Sequence, residues 1–205
     1  MPSLFGTVPG KVIQEGEMKN SAGFVSIKRG IDNGEVEVKA EGLVVSTSGG
    51  MNYPLGDPIC FEAEKLAMKV ARLGGVLVNA GENGGTMLAI TNAQPDITLH
   101  IVCPSHQLIK FGAKVTVNSY QTRKDIMTIL PNVVVFPGKV GTFDELVNCL
   151  GWIKSLQQQN ATPPNLWIHK YWWEVIELLN NKGAIQPGVW DKIHGFASAD
   201  EINFE

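Results

Sequence analysis

The chain has 205 residues and a formal net charge of −3, with 44% hydrophobic and 18% charged residues. At roughly 150 residues per domain, that length fits one domain with an appendage better than two full domains. The hydrophobic content excludes a disordered chain, and the slightly acidic balance supplies no basic field, so no nucleic acid polymer is expected as a partner.

Cys60, Cys103 and Cys149 form no CxxC pair, which excludes a zinc ribbon or a thioredoxin-type motif. Each is expected to pack as a small apolar residue. His100, His106, His169 and His194 are not spaced as paired ligands on one helix, so no metal site is expected. No apolar run approaches the ~18 residues of a membrane span, and the opening MPSLFGTVPGKV lacks a signal-peptide core. A cytoplasmic protein with no membrane partner is the expectation.

Residues 1–40 are expected to form a small β-rich appendage. Segments 11–14, 23–28 and 35–39 are strand-like and are punctuated by Gly10, Gly16, Gly30 and the Asp32-Asn33-Gly34 turn signal. In Glu35-Val36-Glu37-Val38-Lys39 the alternation sets both valines on one face.

Residues 41–205 read as alternating strands and helices. Segment 42–46 is a short buried strand running into Thr47-Ser48-Gly49-Gly50, and apolar residues at 61, 66, 67, 70 and 73 have a helical period. Strands follow at 76–79, 97–103, 114–117, 133–136 and 166–169. Helices are expected from the 81–85 turn through Ile90, then at 121–130, 142–159 and 172–181. Strands separated by helices make right-handed βαβ units. The fold class is therefore α/β, a Rossmann-like doubly wound parallel sheet with a small N-terminal β appendage. In such sheets the ligand lies beyond the carboxyl ends of the strands, where strand order reverses.

Three turns there carry chemistry-bearing residues. Asn79-Ala80-Gly81-Glu82-Asn83-Gly84-Gly85-Thr86 lets amides approach a phosphate at a helix N-terminus, or is simply a tight turn that needs positive φ. Pro137-Gly138-Lys139-Val140-Gly141-Thr142-Phe143-Asp144-Glu145 has Thr142 and Glu145 at capping-box spacing. The residues taken by themselves favour that plain helix start, although the same geometry also suits glycine amides for a phosphate and a carboxylate at the sheet edge. In Tyr120-Gln121-Thr122-Arg123-Lys124-Asp125-Ile126-Met127, Arg123 is either a clamp for an anion or one of two solvated basic residues.

Taken in order, NAGENGGTM, TRKDIM and PGKVGTFDE resemble the Lonely Guy (LOG) family, often labelled lysine decarboxylase-like. Its hallmarks are a GGGxxGLMG turn, an Arg-Lys pair before a Met, and the signature PGGxGTxxE. The resemblance spans roughly residues 42–200. It implies a nucleoside 5′-monophosphate as substrate, of the purine or N6-modified adenine type, and hydrolysis of its N-glycosidic bond to free base and ribose 5-phosphate. It also implies a homodimer or higher homo-oligomer and no cofactor. Carried over by position, Arg123 and Glu145 fall on the catalytic pair. Gly81, Gly85, Lys124, Gly138, Lys139, Gly141 and Thr142 fall on substrate- and phosphate-binding positions, with Thr47 and Ser48 after the first strand. The chemistry fits, since C–N cleavage builds positive charge on the ribose that a carboxylate stabilises.

The sequence departs from the pattern at Lys139, Ala80, Glu82 and Leu88, each replacing a glycine of the family motifs. Glu82 adds a negative charge beside the expected phosphate site. These departures favour the alternative of a non-catalytic binder or carrier of a nucleotide or a phosphorylated pterin such as molybdenum cofactor. No signature of a pyridoxal-phosphate lysine is present. All five tryptophans fall in the last 54 residues, where they serve core packing, an aromatic wall for a base, or a dimer contact.

Overall fold

A computed structural model describes residues 3–32, 34–104 and 112–204. Asn33 of the expected turn and His106 lie outside the described residues. The chain begins with five strands, β1 (Ser3–Pro9), β2 (Val12–Gln14), β3 (Gly16–Asn20), β4 (Gly23–Arg29) and β5 (Glu35–Gly42). Four of them form an antiparallel sheet in the order β1-β5-β4-β3. The alternation of β5 operates as expected: Val36, Val38 and Ala40 are fully buried while the intervening residues are half-exposed.

The main unit follows as β6 (Val44–Ser48), α1 (Pro58–Arg72), β7 (Val76–Asn79), α2 (Gly85–Ala93), β8 (Thr98–Val102) and β9 (Ala113–Val117), then α3 (Tyr120–Ile129), β10 (Asn132–Val135), α4 (Val140–Gln158), β11 (Asn165–His169), α5 (Trp173–Asn181), α6 (Pro187–Trp190) and β12 (Ile193–Phe196). Strands β6 to β12 form a parallel array in the order β12-β11-β10-β6-β7-β8-β9, and β2 closes the β9 edge antiparallel. From β6 the chain winds one way through β7, β8 and β9, then returns to β10 and winds the other way. The reversal falls between β6 and β10, which is the doubly wound α/β arrangement.

Strand alternation sorts the side chains into two layers. Val45, Leu77, Val134 and Trp167 pack against α1, α2 and the C-terminal Phe196–Phe204 segment. Val44, Val76, Val78, Leu99 and Ile101 face α3 and the apolar sides of β4 and β5, while Val133, Val135 and Ile168 on that face meet α4 and α5. Residues 3–42 therefore share a continuous core with the main sheet, and β1 lies against α3. Helix α4 on one side and β1 on another enclose α3, which explains why Thr122 through Ile129 are all buried although three of them are charged.

Candidate functional site

A cleft of about 280 Å³ opens at the strand-order reversal, beyond the carboxyl ends of β6, β7 and β10. Its walls come from the segments that follow those strands and from α3. Gly49, Gly50, Met51 and Asn52 follow β6, Ala80 and Glu82 follow β7, and Met87 lies on α2. Tyr120 and Arg123 stand on the first turn of α3, and Lys139, Gly141, Thr142 and Glu145 at the start of α4.

Glu145 is the central group. Its carboxylate is buried and accepts a hydrogen bond from Ser48 Oγ. The alternation of β6 explains the partnership, because Ser46 and Ser48 share the α3/α4 face while Thr47 points the other way and donates to the Val78 carbonyl at 3.4 Å. Burial raises the Glu145 carboxyl to about 7, with the charges of Glu82 and Asp144 adding to the rise. The Ser48 hydrogen bond and the Arg123 charge oppose it.

The expected capping box does not form. Helix α4 begins at Val140, with Lys139 as an extended N-cap that makes no side-chain cap bond. Thr142 and Glu145 thus lie inside the helix, where neither side chain serves as a cap. The Glu145 amide is satisfied by the backbone, while the Thr142 amide is among the first-turn amides that have no acceptor within the helix. Gly138 makes room for Thr142, since a Cβ there would lie 2.1 Å from Thr142 Oγ1.

Arg123 and Lys124 are not a solvated pair, for both are buried. Ser119 caps α3 by accepting from the Thr122 amide, which fixes Arg123 one turn into the helix. Its Nη1 donates to Glu82 Oε1 at 3.1 Å, and its guanidinium carbon lies 4.8 Å from the Tyr120 ring centroid. Its Nε is buried with no hydrogen-bond partner among the described residues. Lys124 turns away to pair with Asp144 at 2.8 Å. Burial, reinforced by Glu145, pushes the Tyr120 phenol up to about 12, so it stays protonated.

Of the residues singled out from the sequence, Arg123, Glu145, Lys139, Gly141 and Thr142 line the cleft, and Ser48 reaches it through Glu145. Gly81 and Gly85 have positive φ but serve packing. A Cβ at Gly81 would meet Val102 and His100, and one at Gly85 would lie 1.9 Å from the Gly50 carbonyl oxygen. The Thr86 amide donates to that same carbonyl, so the start of α2 is held by the chain's own backbone.

Tyr120 and the Gly49–Asn52 segment were not expected in the wall. The signals available were the position of Tyr120 three residues before Arg123 and the glycine pair directly after β6. None of the five tryptophans lines the cleft. Trp172 Nε1 instead donates to the Phe136 carbonyl at 3.0 Å, and Trp173 packs on Trp190. Among the described residues no cluster of His, Cys, Asp or Glu is arranged to hold a metal ion, and no helix is long and apolar enough to cross a membrane.

The fold and the cleft at the reversal point together define a Rossmann-like α/β protein with a polar site at its switch point. The family model described as "Possible lysine decarboxylase" matches residues 73–203, and the chain belongs to that LOG-like family. Comparison with curated proteins gives no match. Among solved structures, the chain is similar to the molybdenum cofactor binding protein of Rippkaea orientalis, at 18% identity and a TM-score of 0.57, covering 77% of this chain and 91% of that one. It is also similar to the molybdenum cofactor carrier protein of Chlamydomonas reinhardtii, at 12% identity and a TM-score of 0.57, with the same coverages. At such identities the likeness concerns the fold.

Proposed function

We propose that the cleft hydrolyses the N-glycosidic bond of a nucleoside 5′-monophosphate, with Glu145 and Arg123 as its catalytic pair. The observation that carries this reading is the Glu145 carboxylate, released from any capping role, buried in the cleft wall and held by Ser48. Breaking a ribosyl C–N bond develops positive charge on the sugar. A fixed carboxylate in a water-poor site stabilises that charge and orients the attacking water. Burial has already removed the solvent that would otherwise screen it. Arg123 offers its Nε–H to the leaving base, which takes up the electron pair of the broken bond.

The 5′-phosphate is assigned to the mouth of the cleft. There Lys139 is exposed with no ion pair among the described residues, and the first amides of α4 point outward around Gly141 and Thr142. A 19-residue helix presents a positive N-terminal field at that point. A homodimer, and an arrangement in which residues 1–40 form an appendage to a nucleotide-binding unit of residues 41–205, belong to the same proposal.

Two observations favour a second reading, a binder or carrier of a phosphorylated heterocycle. Arg123 is already engaged by Glu82, where the family motif has glycine, and of the two similar structures named above one is a molybdenum cofactor binding protein and the other a molybdenum cofactor carrier protein. Incubation with AMP, GMP, CMP, UMP and an N6-substituted AMP, with chromatography for free base and ribose 5-phosphate, separates the two. Base release supports the hydrolase. A ligand that raises the melting temperature yet is recovered intact supports the carrier.

A further inference from the structure

We infer that Glu82 is a specificity-determining residue, which keeps oxyanions off Arg123 and restricts that part of the cleft to an uncharged hydrogen-bond acceptor. This inference rests on the reading of the cleft as a nucleotide site and deepens it by dividing the site between the two ends of the ligand.

Arg123 is the cleft's buried guanidinium, and an unengaged guanidinium in such a place is the natural seat for a phosphate or carboxylate. Here a carboxylate of the protein itself is already on it. Glu82 Oε1 takes Nη1 at 3.1 Å, and both side chains are at least nine-tenths shielded from solvent. An incoming oxyanion would have to displace Glu82 or lie beside it, at a like-charge cost that low polarisability makes large. The Arg123 Nε–H, in contrast, is buried without a partner among the described residues, and a buried donor left unsatisfied is costly. A neutral acceptor satisfies it without disturbing Glu82. A ring nitrogen or a carbonyl of a heterocycle has that chemistry.

Lys139 stands at the opposite character. It is exposed, lines the same cleft at the N-cap of α4 and has no ion pair among the described residues. The cleft is therefore polarised, with an anion-accepting mouth and a wall at Arg123 that takes only neutral groups. The ligand class this selects is a phosphomonoester carrying an uncharged heterocycle. A ligand with a second anionic group on its heterocycle is rejected.

Inorganic phosphate is the direct probe of this division. Its affinity is measured by calorimetry or by concentration-dependent thermal stabilisation in the wild type, Glu82→Gln, Arg123→Gln, Lys139→Ala and the Glu82→Gln/Arg123→Gln pair. In the wild type, binding weakens with Lys139→Ala and is indifferent to Arg123→Gln. Glu82→Gln strengthens phosphate binding about tenfold or more, the worth of one charge-assisted bond, and the gain disappears in the double variant. Unchanged or weaker binding in folded Glu82→Gln overturns the inference.

A wild-type comparison covers the case in which that variant does not fold. UMP should bind at least about tenfold more tightly than orotidine 5′-monophosphate, which differs from it by one carboxylate on the ring. Equal or tighter binding of the carboxylated nucleotide overturns the inference. If neither nucleotide binds, the phosphate series still decides the role of Glu82, and the nucleotide reading fails only if AMP does not bind either. If Glu82→Gln leaves phosphate binding unchanged while AMP is still hydrolysed, the hydrolase reading stands and the role of Glu82 falls.

Discussion

Replacing Glu145 with Gln should separate catalysis from stability in a pH-dependent way. The carboxyl ionises near 4.5 in an unfolded chain and near 7 in the fold, chiefly because burial disfavours the charge. Below the lower value both states are protonated and Glu145 imposes no cost. As pH rises from about 4.5 to about 7, the unfolded chain releases a proton that the folded protein retains, so folding stability falls. Above the higher value the cost is complete and constant. At 1.36 kcal/mol for each step of one in pKa, the gap corresponds to about 3 kcal/mol. Gln keeps an oxygen to accept from Ser48 and carries no charge. The variant should therefore be about 3 kcal/mol more stable than wild type at pH 8, which for a chain of this size raises Tm by roughly 6–12 °C, and nearly equal to it at pH 4.5. Urea unfolding at the two pH values reads this directly. A stability difference that is the same at both pH values, or a variant less stable at pH 8, would refute the placement of a buried, charge-strained carboxyl at this position.

Other outcomes follow from the same geometry. Arg123→Gln should cost about 3 kcal/mol or more, because it takes from Glu82 the guanidinium that compensates its burial. Adding Glu82→Gln should recover much of that loss, and a double-mutant cycle by urea denaturation measures the coupling. Gly85→Ala should destabilise by roughly 2 kcal/mol or more, since its φ is +54° and the new Cβ would strike the Gly50 carbonyl; thermal unfolding tests it. Lys139→Gly should weaken AMP binding at low salt, with the difference from wild type shrinking as ionic strength rises. Equal salt dependence in the two proteins would remove Lys139 from the phosphate site.

Much of the main unit was legible because its signals are local. The strand runs at β6, β7 and β10 and the period of α1 are written in consecutive residues, and the alternation in β5 reports its buried face. The turns were legible as candidates but not in their geometry. The spacing of Thr142 and Glu145 matches a capping box, yet α4 starts earlier, at Val140, and the Glu145 carboxylate goes to Ser48. That partner lies 97 residues away in the chain, and only the β6–β10 pairing brings the two together. The fate of the Arg-Lys pair was hidden for a similar reason. Solvated basic residues are the ordinary outcome on a helix, and α3 is buried here because α4 and β1 pack on it from distant parts of the chain. The polar β3, GEMKN, has no strong local strand signal and is paired by β4. Gly81 and Gly85 illustrate a general ambiguity, in which a glycine needed for packing and one needed for a ligand are written with the same letter.

The central claim is that Glu145 acts on a bound nucleotide. It is tested most directly by measuring AMP turnover and AMP affinity side by side in the wild type and Glu145→Gln. The account predicts free adenine and ribose 5-phosphate from the wild type, with turnover reduced by about a hundredfold or more in the variant and affinity changed by no more than about threefold. Equal turnover in the two proteins, or AMP bound by the wild type and recovered intact, would contradict it.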